Sequence, residues 1–121
     1  MFQKTNGTLV QHIITAGIDH VATFTGSSFE LTGPGEPLLT FGPDVLSYAQ
    51  PEDPNPLSAT GHLQGAVLRV GQGRVAVFAE AAMFSAQVTG PNRSPMGMNA
   101  EIAEFNAQFL LNVMHWLTRV P

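Results

Sequence analysis

Ile102, Phe105, Phe109, Val113, Trp116 and Leu117 recur at three- and four-residue intervals near the end of the chain. A helix over these residues carries one apolar stripe, which has to be buried against another element. The segments that could receive it read as strands. Gln64–Val70 and Arg74–Ala79 are apolar and rich in β-branched residues, and Gly71-Gln72-Gly73 joins them, a pattern that predicts a hairpin. A helix laid on a sheet makes the chain an α/β domain, and 121 residues suffice for one such domain spanning 1–121. In Arg74–Ala79 both alternating sets are apolar, Val75, Val77 and Ala79 on one side and Ala76 and Phe78 on the other. That pattern predicts a strand covered on both faces, at the centre of the sheet.

The first half is less regular. Leu9–Ile14 is a short apolar run closed by Gly17, and His20–Thr25 reads as a strand followed by the turn Gly26-Ser27-Ser28. Leu38–Phe41 reads as a second strand, ended by Gly42-Pro43. From Asp44 to Gly61 three prolines sit among acids and amides, which predicts a loop. Further on, Glu80–Val88 favours one or two helical turns, Gly90-Pro91 stops them, and 92–98 forms a loop. Asn99 is placed to cap the last helix with Glu101 in its first turn, and the helix ends near Thr118, before Pro121.

Charged residues make up 12% of the chain, about half the usual share. A surface so poor in charge exposes neutral and apolar groups, which mark partner surfaces, so a homodimer is expected. The net charge is −4 and the only cations are Lys4, Arg69, Arg74, Arg93 and Arg119, which supply no basic stripe for nucleic acid. No apolar run approaches the roughly 20 residues of a membrane span, and Met1–Gly7 does not resemble a secretion signal, so a soluble, cytoplasmic protein is expected. With no cysteine there is no disulfide, thiolate metal site or cysteine nucleophile.

Ligands of open α/β sheets bind just beyond the carboxyl ends of strands. Glu80 stands at such an end, followed by Ser85, Gln87, Arg93 and Asn99, with Met96 and Met98 flanking Gly97. A carboxylate, a hydroxyl, amides and a guanidinium suit a small polar ligand, and these five residues are the candidate binding set. The competing reading has Glu80 paired with an arginine or capped by backbone amides while the methionines fill gaps. No residue is assigned a catalytic role. His12, His20, His62 and His115 lack metal-ligand spacing, and His115 suits the negative end of the helix dipole. Neither a metal nor a cofactor is expected. Gly26-Ser27-Ser28 lacks the nucleophile-elbow pattern, and Gly71-Gln72-Gly73 joins strands instead of opening a helix as a dinucleotide fingerprint would. Asn106, Gln108 and Asn112 are neutral amides where a solvated face usually carries charge; Asn106 and Asn112 suit contact with a loop or a second subunit, and simple exposure is the competing reading.

The run GRVAVFAEAAMFSAQ from Gly73, followed by a loop rich in proline and methionine and then NAQFLLNVMHWL, resembles the carboxyl-terminal portion of bacterial proteins of the class I glutamine amidotransferase-like superfamily. The matching positions are Glu80, Met83, Phe84, Asn106, Phe109, Asn112, Trp116 and Leu117, and Gln11–Gly17 is similar to the family's H-P-I-T-x-G segment, with Ile13 in place of proline. The resemblance implies a partial flavodoxin-like sheet with the C-terminal helix packed on it. The family's first half would lie before Met1, and its cysteine is absent, so glutamine hydrolysis is not implied. Half of such a sheet leaves an unpaired edge and an incomplete helical layer, which a second copy can cover. The expected function is a non-catalytic binding or assembly module. The alternative is a small hydrolase-like enzyme with Glu80 as general base and a histidine from elsewhere.

Overall fold

The computed structural model describes residues 1–119. Its central element is a three-stranded antiparallel sheet of β3 (Glu36–Thr40), β6 (Leu63–Val70) and β7 (Gly73–Phe78), in the order β3-β6-β7. Three two-stranded antiparallel pairs surround it: β1 (Phe2–Gln3) with β2 (His20–Val21), β4 (Leu46–Ser47) with β5 (Leu57–Ser58), and β8 (Val88–Thr89) with β9 (Ser94–Pro95). A 3-10 turn at Ala82–Phe84 follows β7, another at Glu101–Ala103 precedes α1 (Asn106–Thr118). The chain is therefore mixed α/β, with one helix on an antiparallel sheet. Pro121, expected beyond the helix end, lies outside the described residues.

The hairpin read from the glycine loop is present. Its place in the sheet is not as expected, because β6 is the central strand and β7 lies at the edge. The two apolar sets of β7 differ in fate: Ala76 and Phe78 pack against the core, while Val75 and Val77 remain 38% and 41% exposed. Cross-strand pairing explains the division. Val67 and Arg69 stand opposite Ala76 and Arg74, on the side of α1. Leu68 and Ala66 stand opposite Val75 and Val77, on the other side. Alternation alone cannot tell a strand covered twice from an edge strand with a bare apolar face.

The core lies between the sheet, α1 and the segments before β3. Phe109, Val113 and Trp116 are buried as the stripe requires, with Leu9, Ile14, Ile18, Val21, Leu38, Leu39, Val67 and Met83. Phe105 and Leu117 are partly buried, whereas Ile102 precedes the helix and is exposed. At the centre the Phe109 ring lies 5.9 Å from both Phe78 and Phe84, which are themselves 5.3 Å apart and edge to face.

Asn106 is fully buried in this apolar setting. Its Oδ1 accepts from the Ala22 amide at 3.1 Å, and its Nδ2 donates to the carbonyls of Ala22 and Met83 at 2.8 and 3.0 Å. One side chain thus ties the start of α1 to the segment after β2 and to the turn after β7. Asn112 likewise donates to the Ile14 carbonyl at 2.9 Å and accepts from Gln108. The loop contacts expected of these amides are formed. The helix itself begins at Asn106, seven positions after the cap read from Asn99, and Phe105 precedes it without a side-chain cap. Glu101 falls in the 3-10 turn, and the Asn99 amide donates instead to the Gln87 carbonyl at 3.2 Å.

Candidate functional site: a buried acid at the end of the sheet

Glu80 lies two residues beyond β7, where the chain leaves the sheet, and is 5% exposed. Its Oε1 accepts from the Met83 amide at 3.2 Å, so the carboxyl caps the 3-10 turn that follows. Its Oε2 is buried, and no donor among the described residues meets it in good hydrogen-bond geometry, although the amides of Ala82 and Phe24 lie near the carboxyl. Burial pushes the Glu80 carboxyl above the ordinary carboxylate range, and the amides of Ala82, Met83 and Phe24 offset part of that rise.

Gly26 makes the approach to this acid possible. A Cβ built there would fall 2.5 Å from the Ala79 carbonyl oxygen and 2.7 Å from the Glu80 side chain, and its φ of +109° is one that residues with side chains rarely adopt. The Ser27 amide donates to that same Ala79 carbonyl at 2.9 Å, holding the loop against the end of β7. Beneath the loop Gln64 is buried, its Nε2 donating to the Thr25 and Ser27 carbonyls at 3.1 and 3.2 Å. Its Oε1, like Glu80 Oε2, is buried without a donor. Two unsatisfied acceptors therefore flank one loop. Thr25, Gly26, Glu80 and Gln87 line an open cleft of about 470 Å³. Thr25 and Gly26 also form a wall of a neighbouring cavity of about 430 Å³ that reaches Tyr48.

Of the five candidate residues, the structure brings Glu80 and Gln87 to one cleft. Ser85 and Asn99 are used in shaping the loop. Ser85 Oγ donates to the Ala82 carbonyl at 2.9 Å, and the Ser85 carbonyl accepts from the Met98 amide at 2.6 Å. Gly97 packs so closely there that a Cβ would sit 2.2 Å from the Ser85 oxygen. Arg93 is exposed in the turn between β8 and β9, with a φ of 53°, and is not among the residues lining the Glu80 cleft. Thr25, Gly26 and Gln64 read in the sequence as strand and turn residues and not as site residues, since it is the folded path of residues 25–27 that carries them to Glu80.

None of the histidines hydrogen-bonds Glu80 among the described residues. His12 pairs with Glu36 at 3.0 Å, and His20 with Asp19 and Glu104 at 2.9 and 3.6 Å. His62 faces Ser28 Oγ at 3.3 Å and Glu30 at 3.6 Å. The antiparallel bridge between Phe29 and Leu63 generates this last set, because it puts residues 28 and 30 on the same side as residue 62. Among the described residues no group of three or more His, Asp and Glu gathers as metal ligands, and no helix is long and apolar enough to cross a membrane.

The raised proton affinity of Glu80 gives a signed expectation. The folded chain binds this proton more tightly than the unfolded chain, so folding takes up a proton and the associated stability is lost as pH rises above the ordinary carboxylate range. Glu80→Gln removes the titration and keeps an oxygen for the Met83 amide. The stability of Glu80→Gln relative to the parent is expected to increase between pH 5 and pH 8 in urea unfolding; a pH-independent difference would contradict the assignment.

The fold and site define a class: a small α/β protein with a single helix on an antiparallel sheet and an acid-floored cleft at the sheet's end. No protein-family model, characterised protein or solved structure matches the chain.

Proposed function

We propose that this chain is a non-catalytic binding or assembly module, built as half of an amidotransferase-like, flavodoxin-like domain and completed by a second copy of itself in the cytoplasm. The observation that carries this reading is β7. It is an edge strand of six residues, and the face of its hairpin away from α1 bears Val70, Val75 and Val77, all exposed. An unpaired, apolar edge without a proline is a template for a further strand. Antiparallel pairing of β7 with its twofold mate would extend three strands to a continuous sheet of six. The small ligand of the module sits in the open cleft lined by Glu80, Gln87 and Thr25. Ammonium and amide groups have the matching chemistry.

Light scattering on the eluting protein tests the assembly. The parent is expected to elute as a dimer at micromolar concentration, insensitive to salt. Val77→Lys, which places a charge on the exposed face of the edge, is expected to elute as a folded monomer. A monomeric parent would sink the assembly reading.

The hydrolase-like alternative draws on the same raised proton affinity of Glu80, since burial is how catalytic carboxyls are poised. It is the weaker reading. A general base of this kind works with a hydrogen-bonded partner, and His12, His20 and His62 are engaged with Glu36, Asp19, Glu104, Ser28 and Glu30.

A further inference from the structure

Away from the Glu80 cleft, three of the chain's five cationic side chains meet around its single tryptophan. The hairpin register causes the convergence. Arg69 and Arg74 are direct cross-strand partners, so both project toward α1, whose last turn presents Trp116 and then Arg119. The guanidinium carbons of Arg74 and Arg69 lie 4.9 and 5.8 Å from the centre of the indole ring. Like charges placed directly opposite each other on a sheet repel. Burial, and after it the charges of Arg69 and Arg119, lower the proton affinity of Arg74.

What offsets these charges is small. Arg74 Nη1 donates to the Trp116 carbonyl at 2.7 Å and Arg119 Nη2 donates to the Gln72 carbonyl. The end of a helix supplies only about half a negative charge. Every ion pair among the described residues involves a histidine, and none involves these arginines. Glu36 lines the small cavity beside Arg69, but its carboxylate is hydrogen-bonded to His12 and forms no salt bridge with an arginine among the described residues. Arg74 Nε is buried with no acceptor at all. Beside it opens a cleft of about 340 Å³ lined by Ile13, Ile14, Arg74, His115, Trp116 and Arg119. The walls thus combine an indole and two isoleucines with guanidinium groups whose charge is unmatched.

We propose that this cleft between the β6–β7 hairpin and the end of α1 binds a small organic oxyanion, a carboxylate or phosphate carried on a compact apolar body. The planar guanidinium fork of Arg74 matches the paired oxygens of either group, and the body lies against Trp116 and the isoleucines. Such a ligand brings negative charge to Arg74 and Arg119 in the cleft wall and relieves the repulsion that Arg74 shares with its cross-strand partner Arg69.

Trp116, the sole tryptophan, reports the event directly. Benzoate and inorganic phosphate are titrated into the intact protein at constant ionic strength held with chloride, and indole fluorescence is followed. Benzoate or phosphate is expected to give a saturable change that chloride does not, and the tighter of the two identifies the oxyanion. Arg74→Gln is expected to weaken binding at least about tenfold, the loss that follows from removing one charge-assisted hydrogen bond. Arg119→Gln alters an exposed side chain that lines the cleft, so it stands in should Arg74→Gln fail to fold. It should weaken binding while leaving the ligand-free melting temperature at low salt no lower than that of the parent. No saturable response to either anion, an equal response to chloride, or unchanged binding in the folded variants would overturn the assignment.

Discussion

Asn106→Ala is expected to lower the free energy of unfolding by about 3–5 kcal/mol, a large share of the margin of a domain this size. The substitution leaves the Ala22 amide and the carbonyls of Ala22 and Met83 without their side-chain partner in a site closed to solvent. Each orphaned buried group costs about 1–3 kcal/mol, and the better helix propensity of alanine returns only a few tenths. Asn106→Asp separates the two halves of the effect. It keeps an acceptor for the Ala22 amide but turns an oxygen toward two carbonyls, so it should be severe at neutral pH and milder in acid, where a protonated carboxyl can donate to one of them. Urea unfolding at pH 4.5 and 7.5 measures both variants, and a loss below about 1 kcal/mol for Asn106→Ala would show that water replaces the amide.

Phe109→Ala is the second large expectation, at about 3–5 kcal/mol. The ring has no exposed surface and touches both other members of the phenylalanine cluster, which belong to β7 and to the turn after Glu80. The cavity left behind is bounded by three different elements, and their separate anchorage limits how far they can collapse into it. Phe109→Leu keeps most of the volume and should cost well under half as much. Equal losses for the two variants in denaturant unfolding would mean that ring stacking, not volume, sets the stability of this cluster.

These two residues also mark how far the sequence was legible. Phe109 declared itself through its spacing with Val113 and Trp116, because a helical stripe is a local pattern. Asn106 was legible only as an unexpected amide. Its partners are Ala22 and Met83, one of them 84 residues away. The same pairing shortens the strand read at His20–Thr25 to His20–Val21, since the side chain of Asn106 takes the backbone groups of Ala22 that a ladder would use. The prolines of residues 44–61 pointed to a loop, yet Leu46–Ser47 and Leu57–Ser58 pair as a small hairpin within it. At the site, Glu80 could be read from its place after a run of strand residues, and Gln87 from its distance along the chain. The glycine that lets a loop lie against Glu80 and the glutamine beneath that loop belong to segments whose meeting no spacing rule encodes.

The close contact of Gly97 with Ser85 bears on how freely this protein can change. The neck of the 85–98 loop is a backbone-to-backbone seal, closed by the Met98 amide on the Ser85 carbonyl. Its tip at 90–93 is exposed and contributes no residue to the core cluster. Added residues at the tip would lengthen a ring whose closure is already secured, and doubling such a ring costs only about 0.6 kcal/mol of chain entropy. The neck is therefore a fixed point in the sequence, and the tip is a place where lineages descended from such a chain can gain length without refashioning the fold.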